Sequence, residues 1–192
     1  MPPWISSSTS WRVGSPPRPD CGLAAWVGWP AAYGAGMASL TGRVANFMSR
    51  RFPHLVAKGT HKQVAQFRES GGTKGNKMFG KPVFLLEVIG RTSGEPRPVM
   101  LMLARRGDDL IVVGSNGGNP VTPNWYRNLM AADQTEVQVD ADRWWTTARE
   151  LEGPERDECW ALAAKAYPDF DTYQELTDRR IPIAVLERVT AA

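Results

Sequence analysis

Hydrophobic positions in the middle of the chain come in short runs bounded by turn-forming residues. Val83 to Ile89, Pro98 to Ala104 and Leu110 to Gly114 are apolar stretches separated by Gly94-Glu95 and by Arg106-Gly107-Asp108-Asp109, the punctuation of antiparallel hairpins. Thr135 to Val139 and Trp144 to Arg149 flank Asp140-Ala141-Asp142 and predict another strand pair, and Ile183 to Leu186 predicts a last strand. A helical period appears earlier. Leu40, Val44, Phe47 and Met48 share one face with Arg43, Asn46 and Arg50 between them, which predicts a short basic amphipathic helix interrupted at Pro53. A second helix is expected from about Thr60, as N-cap, through Val64 and Phe67 to Gly71-Gly72. Pro123 opens a helix that turns Trp125, Leu129 and Met130 toward one face; Pro154 to Ala166 and a shorter segment around Tyr173 predict two more. Strands and helices do not alternate and no repeat is visible, so a parallel Rossmann sheet is disfavoured. The pattern predicts an α+β chain: a single antiparallel sheet or barrel flanked by helices.

Residues 1–36 differ from the rest. Trp4, Trp11, Trp26 and Trp29 stand among Ser, Gly and Pro without periodicity, so this stretch is expected to be a disordered or non-native extension, with Met37 as the functional start. The uncharged span Cys21 to Gly42 is broken by Pro30 and several glycines and is poor in Leu, Ile and Val, which argues against a spanning helix or a signal peptide. The organisation expected is therefore an extension over 1–36, a basic helical segment over 37–70 and the barrel domain over 71–190.

With 192 residues, 42% hydrophobic and 22% charged, the chain suits one ordinary domain. Cys21 and Cys159 are isolated, and His54 and His61 have no ligand-spaced partners, so neither a disulfide framework nor a metal site is expected. Charge is unevenly placed. Arg43, Arg50, Arg51, Lys58, Lys62, Arg68, Lys74, Lys77 and Lys81 face only Glu69 between positions 43 and 81, a block that attracts anions. It lacks the interleaved aromatics of a nucleic-acid surface, so no nucleic-acid partner is expected.

Two loops carry candidate chemistry. Gly90-Arg91-Thr92-Ser93-Gly94 offers a planar guanidinium, a hydroxyl and glycines that let backbone approach an anion, a combination suited to phosphate but also found in solvated turns. Ser115-Asn116-Gly117-Gly118 follows another strand and precedes a helix start, where amides and the helix dipole favour negative charge. Two such loops in one domain imply an extended anionic ligand.

At these loops the sequence resembles the deazaflavin-dependent nitroreductases, users of coenzyme F420 within the split β-barrel flavoprotein superfamily. The carriers are "GRTSGEPR" at 90–97, "SNGG" at 115–118, "PNWYRNL" at 123–129, "AR" at 148–149 and "YPDFDTYQELTDRRIP" at 167–182. The resemblance covers about Gly71 to Val189 and implies a single-domain antiparallel split β-barrel. It implies that the phosphate and acidic tail of F420 lie against Arg91, Ser93, Gly94 and Arg97, with Lys81 nearby. The deazaflavin ring would meet Ser115, Asn116, Gly117 and Gly118, together with Trp125 and Asn128; Trp125 is equally readable as core. Tyr167, Phe170 and Tyr173 would form the acceptor pocket, with Tyr173, assisted by Tyr167, as the polarising donor; ordinary helix-face packing is the other reading of all three. The chain departs from the family pattern at Thr92, where a second basic residue is common, at Met100-Leu101 and Thr122-Pro123, at Asp133, and at Phe170, where relatives carry Tyr.

A deazaflavin transfers hydride from its own ring carbon, so the protein need only bind it, orient an acceptor and supply a proton or hydrogen bond. The resemblance implies an F420H2-dependent quinone reductase or nitroreductase acting on a quinone or nitroaromatic acceptor. Two alternatives stay open: a flavin mononucleotide (FMN) split-barrel oxidoreductase and a non-catalytic deazaflavin carrier. The expected setting is cytoplasmic, with the basic helix suited to peripheral contact with an anionic membrane surface on the inner face of the cell membrane. A homodimer is left open, because split barrels are often dimeric.

Overall fold

Side chains along the central strands alternate between two buried sides, and this alternation organises the molecule. The computed structural model describes residues 39–51 and 53–190, all within one compact unit. The expectations for residues 1–36 and for Met37 lie outside the described residues. Eight strands form one antiparallel sheet: β1 (Lys77–Met78), β2 (Lys81–Ile89), β3 (Pro96–Met102), β4 (Ala104–Arg106), β5 (Asp109–Val113), β6 (Thr135–Val139), β7 (Asp142–Glu150) and β8 (Ile183–Arg188). Their order is β1-β2-β6-β7-β8-β5-β4, with β3 also on β2. Since β3 and β4 are consecutive in the chain yet pair toward opposite ends of that path, the sheet curls on itself. The fold is the antiparallel split β-barrel flanked by helices that the sequence implied.

In β2, Phe84, Leu86 and Val88 join Leu110, Val112, Val137, Val139, Ala184 and Leu186 in one cluster drawn from four strands, the barrel interior. The alternate residues Val83 and Leu85 pack with Met100, Val64 and Phe67 instead. Likewise Ile111, Val113, Ile183 and Val185 turn away from the interior to meet Cys159, Ala163, Tyr167, Phe170 and Tyr173. Both sides of these strands are thus buried, one by the facing wall of the curled sheet and the other by helices.

Those helices are α1 (Leu40–Arg51), α2 (Pro53–Glu69), α3 (Asn124–Met130), α4 (Gly153–Ala166) and α5 (Asp169–Glu175). α2 begins at Pro53, seven residues before the expected Thr60 start. Proline is suited to a first turn, where its missing N–H has no acceptor to serve, so Pro53 separates two helices and opens the second. The end of α2 is as expected: Gly72 at φ +88 donates to the Phe67 carbonyl at 2.8 Å, and a Cβ there would stand 1.8 Å from the Asp140 carbonyl oxygen. α1 is tied to the unit by polar contacts. The Ser39 amide donates to Thr172 Oγ1 at 3.0 Å, the Ser39 hydroxyl donates to Asp169, and the Asn46 amide group donates to the Gly117 carbonyl.

The run expected as one strand from Pro98 to Ala104 is two. β3 pairs with β2 in the register Val83↔Met102 to Ile89↔Pro96, then the chain breaks at Leu103 and β4 pairs with β5. Leu103 marks the change of partner that closes the barrel, and its amide donates to the Pro82 carbonyl at 3.0 Å.

Candidate functional site

The β2–β3 turn is closed by its own backbone. The Gly90 amide donates to the Glu95 carbonyl and the Gly94 amide to the Gly90 carbonyl, both at 2.8 Å. Gly94 sits at φ +69, and a Cβ on Gly90 would lie 2.6 Å from Ser93 Oγ, so glycine at 90 lets the serine fold back over the turn. α3 packs beside it. The Arg91 guanidinium donates to Asn128 Oδ1 at 2.8 Å and the Arg91 amide reaches the same oxygen at 3.4 Å. Gly90, Arg91, Thr92 and Ser93 from the turn and Arg97 from the start of β3, with Asn124, Trp125 and Asn128 from α3, line a cavity of about 490 Å³.

Among the described residues neither Arg91 nor Arg97 has a carboxylate within ion-pair distance. Two guanidiniums without acidic partners on one cavity are a donor set for an anion with several charged oxygens. A phosphate followed by an acidic tail fits it. The attraction comes from side chains, since α3 has only seven residues and contributes little dipole. Lys81 does not line this cavity: it opens β2, eight residues from the end at Ile89, which is about 26 Å at the rise of a strand.

A second cavity, of about 310 Å³, lies between α1, α5 and the sheet. Tyr167, Phe170 and Tyr173 line it, as do Met48, Met78, Met100 and Met102, while Ser115, Asn116 and Gly117 contribute polar groups. The three aromatics are buried and pack edge to face or tilted, with centroids 5.2 to 6.4 Å apart. They therefore belong to the core and line the cavity together. The Tyr167 and Tyr173 hydroxyls share a hydrogen bond at 3.1 Å. Burial pushes both phenols above their ordinary range; the shared hydrogen bond raises Tyr167 further and draws Tyr173 back. Both stay protonated near neutrality. Trp125 lines both cavities and also packs against the barrel cluster.

The 115–118 loop is built from left-handed backbone: Asn116, Gly117 and Gly118 have φ of +50, +61 and +77. Gly118 is buried and does not line either cavity; a Cβ on it would stand 2.9 Å from the Tyr173 carbonyl oxygen. Its glycine lets the loop approach α5. Arg179, within the closing motif but not among the expected site residues, holds this loop. Its guanidinium donates to the carbonyls of Gly114, Ser115 and Asn119 at 3.0, 2.7 and 2.8 Å. The fork of donors after a turn was the available signal for it. Phe79 and the four methionines were also missed, because isolated apolar residues carry no sign of which cavity they line.

The fold is a split barrel in which an arginine-lined cavity and an aromatic cavity share Trp125. The family model described as F420H2-dependent quinone reductase matches residues 60–188. The chain belongs to that family. An F420H2-dependent quinone reductase of Mycobacterium tuberculosis is 34% identical over 128 residues, covering 65% of this chain and 86% of that protein. Among solved structures, an F420H2-dependent reductase is 41% identical with a TM-score of 0.52, over 55% of this chain and 94% of its own. A second solved structure, described only as a domain-swapped dimer, is 38% identical with a TM-score of 0.55, over 66% of this chain and 96% of its own. The family's coenzyme is F420, which favours the deazaflavin over flavin mononucleotide.

Proposed function

We propose that this chain uses reduced F420 to reduce a quinone-class acceptor bound in the cavity of Tyr167, Phe170 and Tyr173. The observation that carries this reading is the position of Trp125 on both cavities. A cofactor anchored by its phosphate at Arg91, Ser93 and Arg97 passes this indole on the way to the aromatic cavity. When bound, F420H2 supplies a hydride. The protein's own tasks are to hold the anionic end, to exclude water with methionine and aromatic side chains, and to place a hydroxyl at the acceptor oxygen. If Tyr167 donates to Tyr173 Oη, the Tyr173 hydrogen is left for a quinone oxygen, where it supports the charge that develops as hydride arrives.

Nitroaromatics fit as secondary acceptors, since they also present a flat electron-poor ring with terminal oxygens. Anaerobic oxidation of F420H2 by menadione, with and without the protein, tests the activity. Binding of F420 with no oxidation by any quinone or nitro acceptor would favour the carrier reading instead.

Contact with an anionic membrane surface is supported by α1, where Leu40 and Val44 are exposed beside Arg43. Among the described residues no helix is long and apolar enough to cross a membrane. Co-sedimentation with anionic vesicles, lost in a Leu40→Glu, Val44→Glu double variant, is the expected result. A homodimer is supported by the relative described as a domain-swapped dimer, and light scattering on the purified chain decides it.

A further inference from the structure

Strands β1 and β2 are joined by a loop of two residues, Phe79 and Gly80, between Met78 and its partner Lys81. Both loop residues are left-handed, at φ +51 and +75. This is the geometry of a type I′ hairpin turn, whose first position favours asparagine, aspartate or glycine. A phenylalanine there is strained, because its Cβ crowds the following carbonyl. It also gains little from burial: the residue is 67% exposed. A residue that is costly to place and left largely in water needs another reason to be a large aromatic.

The neighbours of the ring supply one. Phe79 lines the aromatic cavity, and its ring is nearly parallel to that of Tyr167, at 21° and 6.4 Å between centroids. That distance is near the long end for an aromatic pair, so the contact is loose. Met78, the residue before it, lines the same cavity. The Phe79 ring has a buried neighbour on one side and solvent on the other, at the point where the cavity meets the surface.

We propose that Phe79 is a specificity-determining residue: it caps the cavity and stacks on the ring of a planar apolar acceptor, burying its own exposed surface as the acceptor enters. The inference rests on the acceptor reading of this cavity. Flat rings gain the stacking contact, whereas acceptors without an extended ring do not. The methionines around the remaining wall adapt to ring substituents, so selection falls on flatness rather than on the substituent pattern.

The test is equilibrium dialysis of menadione against the full chain saturated with oxidised F420, so that binding is read without reaction. Wild type is compared with Phe79→Asn and Phe79→Tyr. The asparagine variant is expected to bind menadione about three- to tenfold more weakly, the loss of one aromatic contact, and the tyrosine variant to bind like wild type. Asparagine suits the turn, so Phe79→Asn is expected to melt no lower than wild type. Equal affinity in wild type and Phe79→Asn would overturn the proposal and leave the acceptor reading intact. Equal losses in both variants would also overturn it, since an aromatic ring would then not be what is recognised. No menadione binding by wild type would remove the acceptor reading and this proposal with it.

Discussion

The Arg91 guanidinium donates to Oδ1 of the buried Asn128, so a residue of α3 aims an arginine of the β2–β3 turn. The oxygen accepts from both the side chain and the backbone of Arg91, which couples the turn to the helix that also carries Trp125. The two halves of the proposed cofactor site are thereby held in one register.

Asn128→Leu removes that acceptor and frees Arg91. A hydrogen bond to a charged group is worth about 1.5–3 kcal/mol, so F420 affinity is expected to fall by about tenfold or more. Asn128→Asp should also weaken binding, because a carboxylate would pair with Arg91 and compete with the anionic ligand. Titration of F420 fluorescence reads both. An Asp variant that binds as tightly as wild type would show that Arg91 does not meet the cofactor's charge.

Tyr173→Phe is expected to lower kcat with menadione by about tenfold to a hundredfold while leaving the F420 dissociation constant unchanged. Tyr167→Phe keeps the proposed donor but removes its partner, so its loss should be smaller. Both phenols are held above their ordinary range, so the rate should show no fall from phenol ionisation between pH 6 and 9. Equal kcat in wild type and Tyr173→Phe would discard the donor assignment.

The buried phenols also set an alkaline limit on stability. Burial raises Tyr126, Tyr167 and Tyr173 above the ordinary value of 10, so above that pH the unfolded chain loses protons that the folded chain keeps. Stability is full below pH 10 and is lost as pH rises further. On the acid side, the guanidiniums of Arg149 and Arg106 hold Glu155 at about 2, against an ordinary 4.5. Its contribution is present above 4.5 and is lost as pH falls toward 2. Melting curves across pH check both limits, and Glu155→Gln should flatten only the acid one.

Arg179→Met takes the donors from three carbonyls of the 114–119 loop. The expected cost is about 2–3 kcal/mol of stability, with faster hydrogen exchange at residues 114–119 and weaker F420 binding. Gly118→Ala should harm the same region by another route, since its Cβ would press on the Tyr173 carbonyl. Unchanged exchange in Arg179→Met would show that the left-handed backbone holds itself.

How much of this was legible in the sequence varies with the kind of signal. The hairpin β6–β7 and the turn at Gly90 to Glu95 follow from apolar runs and turn residues, which act locally. The grouping of Arg91, Ser93 and Arg97 could be read because they share one short turn and the strand that follows it. Lys81 stands apart from that group because it opens β2 while the turn follows the strand's other end, a separation that proximity in sequence to a basic block does not reveal. Thr60 resembled an N-cap, yet the helical backbone continues through it from Pro53. The break at Leu103 has no glycine or proline to announce it; it arises only when the sheet curls and the chain must change partners. Phe79 was invisible for a similar reason, since two residues pairing in β1 leave no periodicity and phenylalanine is not a turn residue.

The most direct measurement of the central claim is titration of oxidised and reduced F420 into the purified chain, followed by menadione under anaerobic conditions while the cofactor's absorbance is recorded. The account predicts saturable binding, weakened by Arg91→Ala, and rapid reoxidation of F420H2 that depends on the protein. No F420 binding, with flavin mononucleotide bound instead, would contradict it.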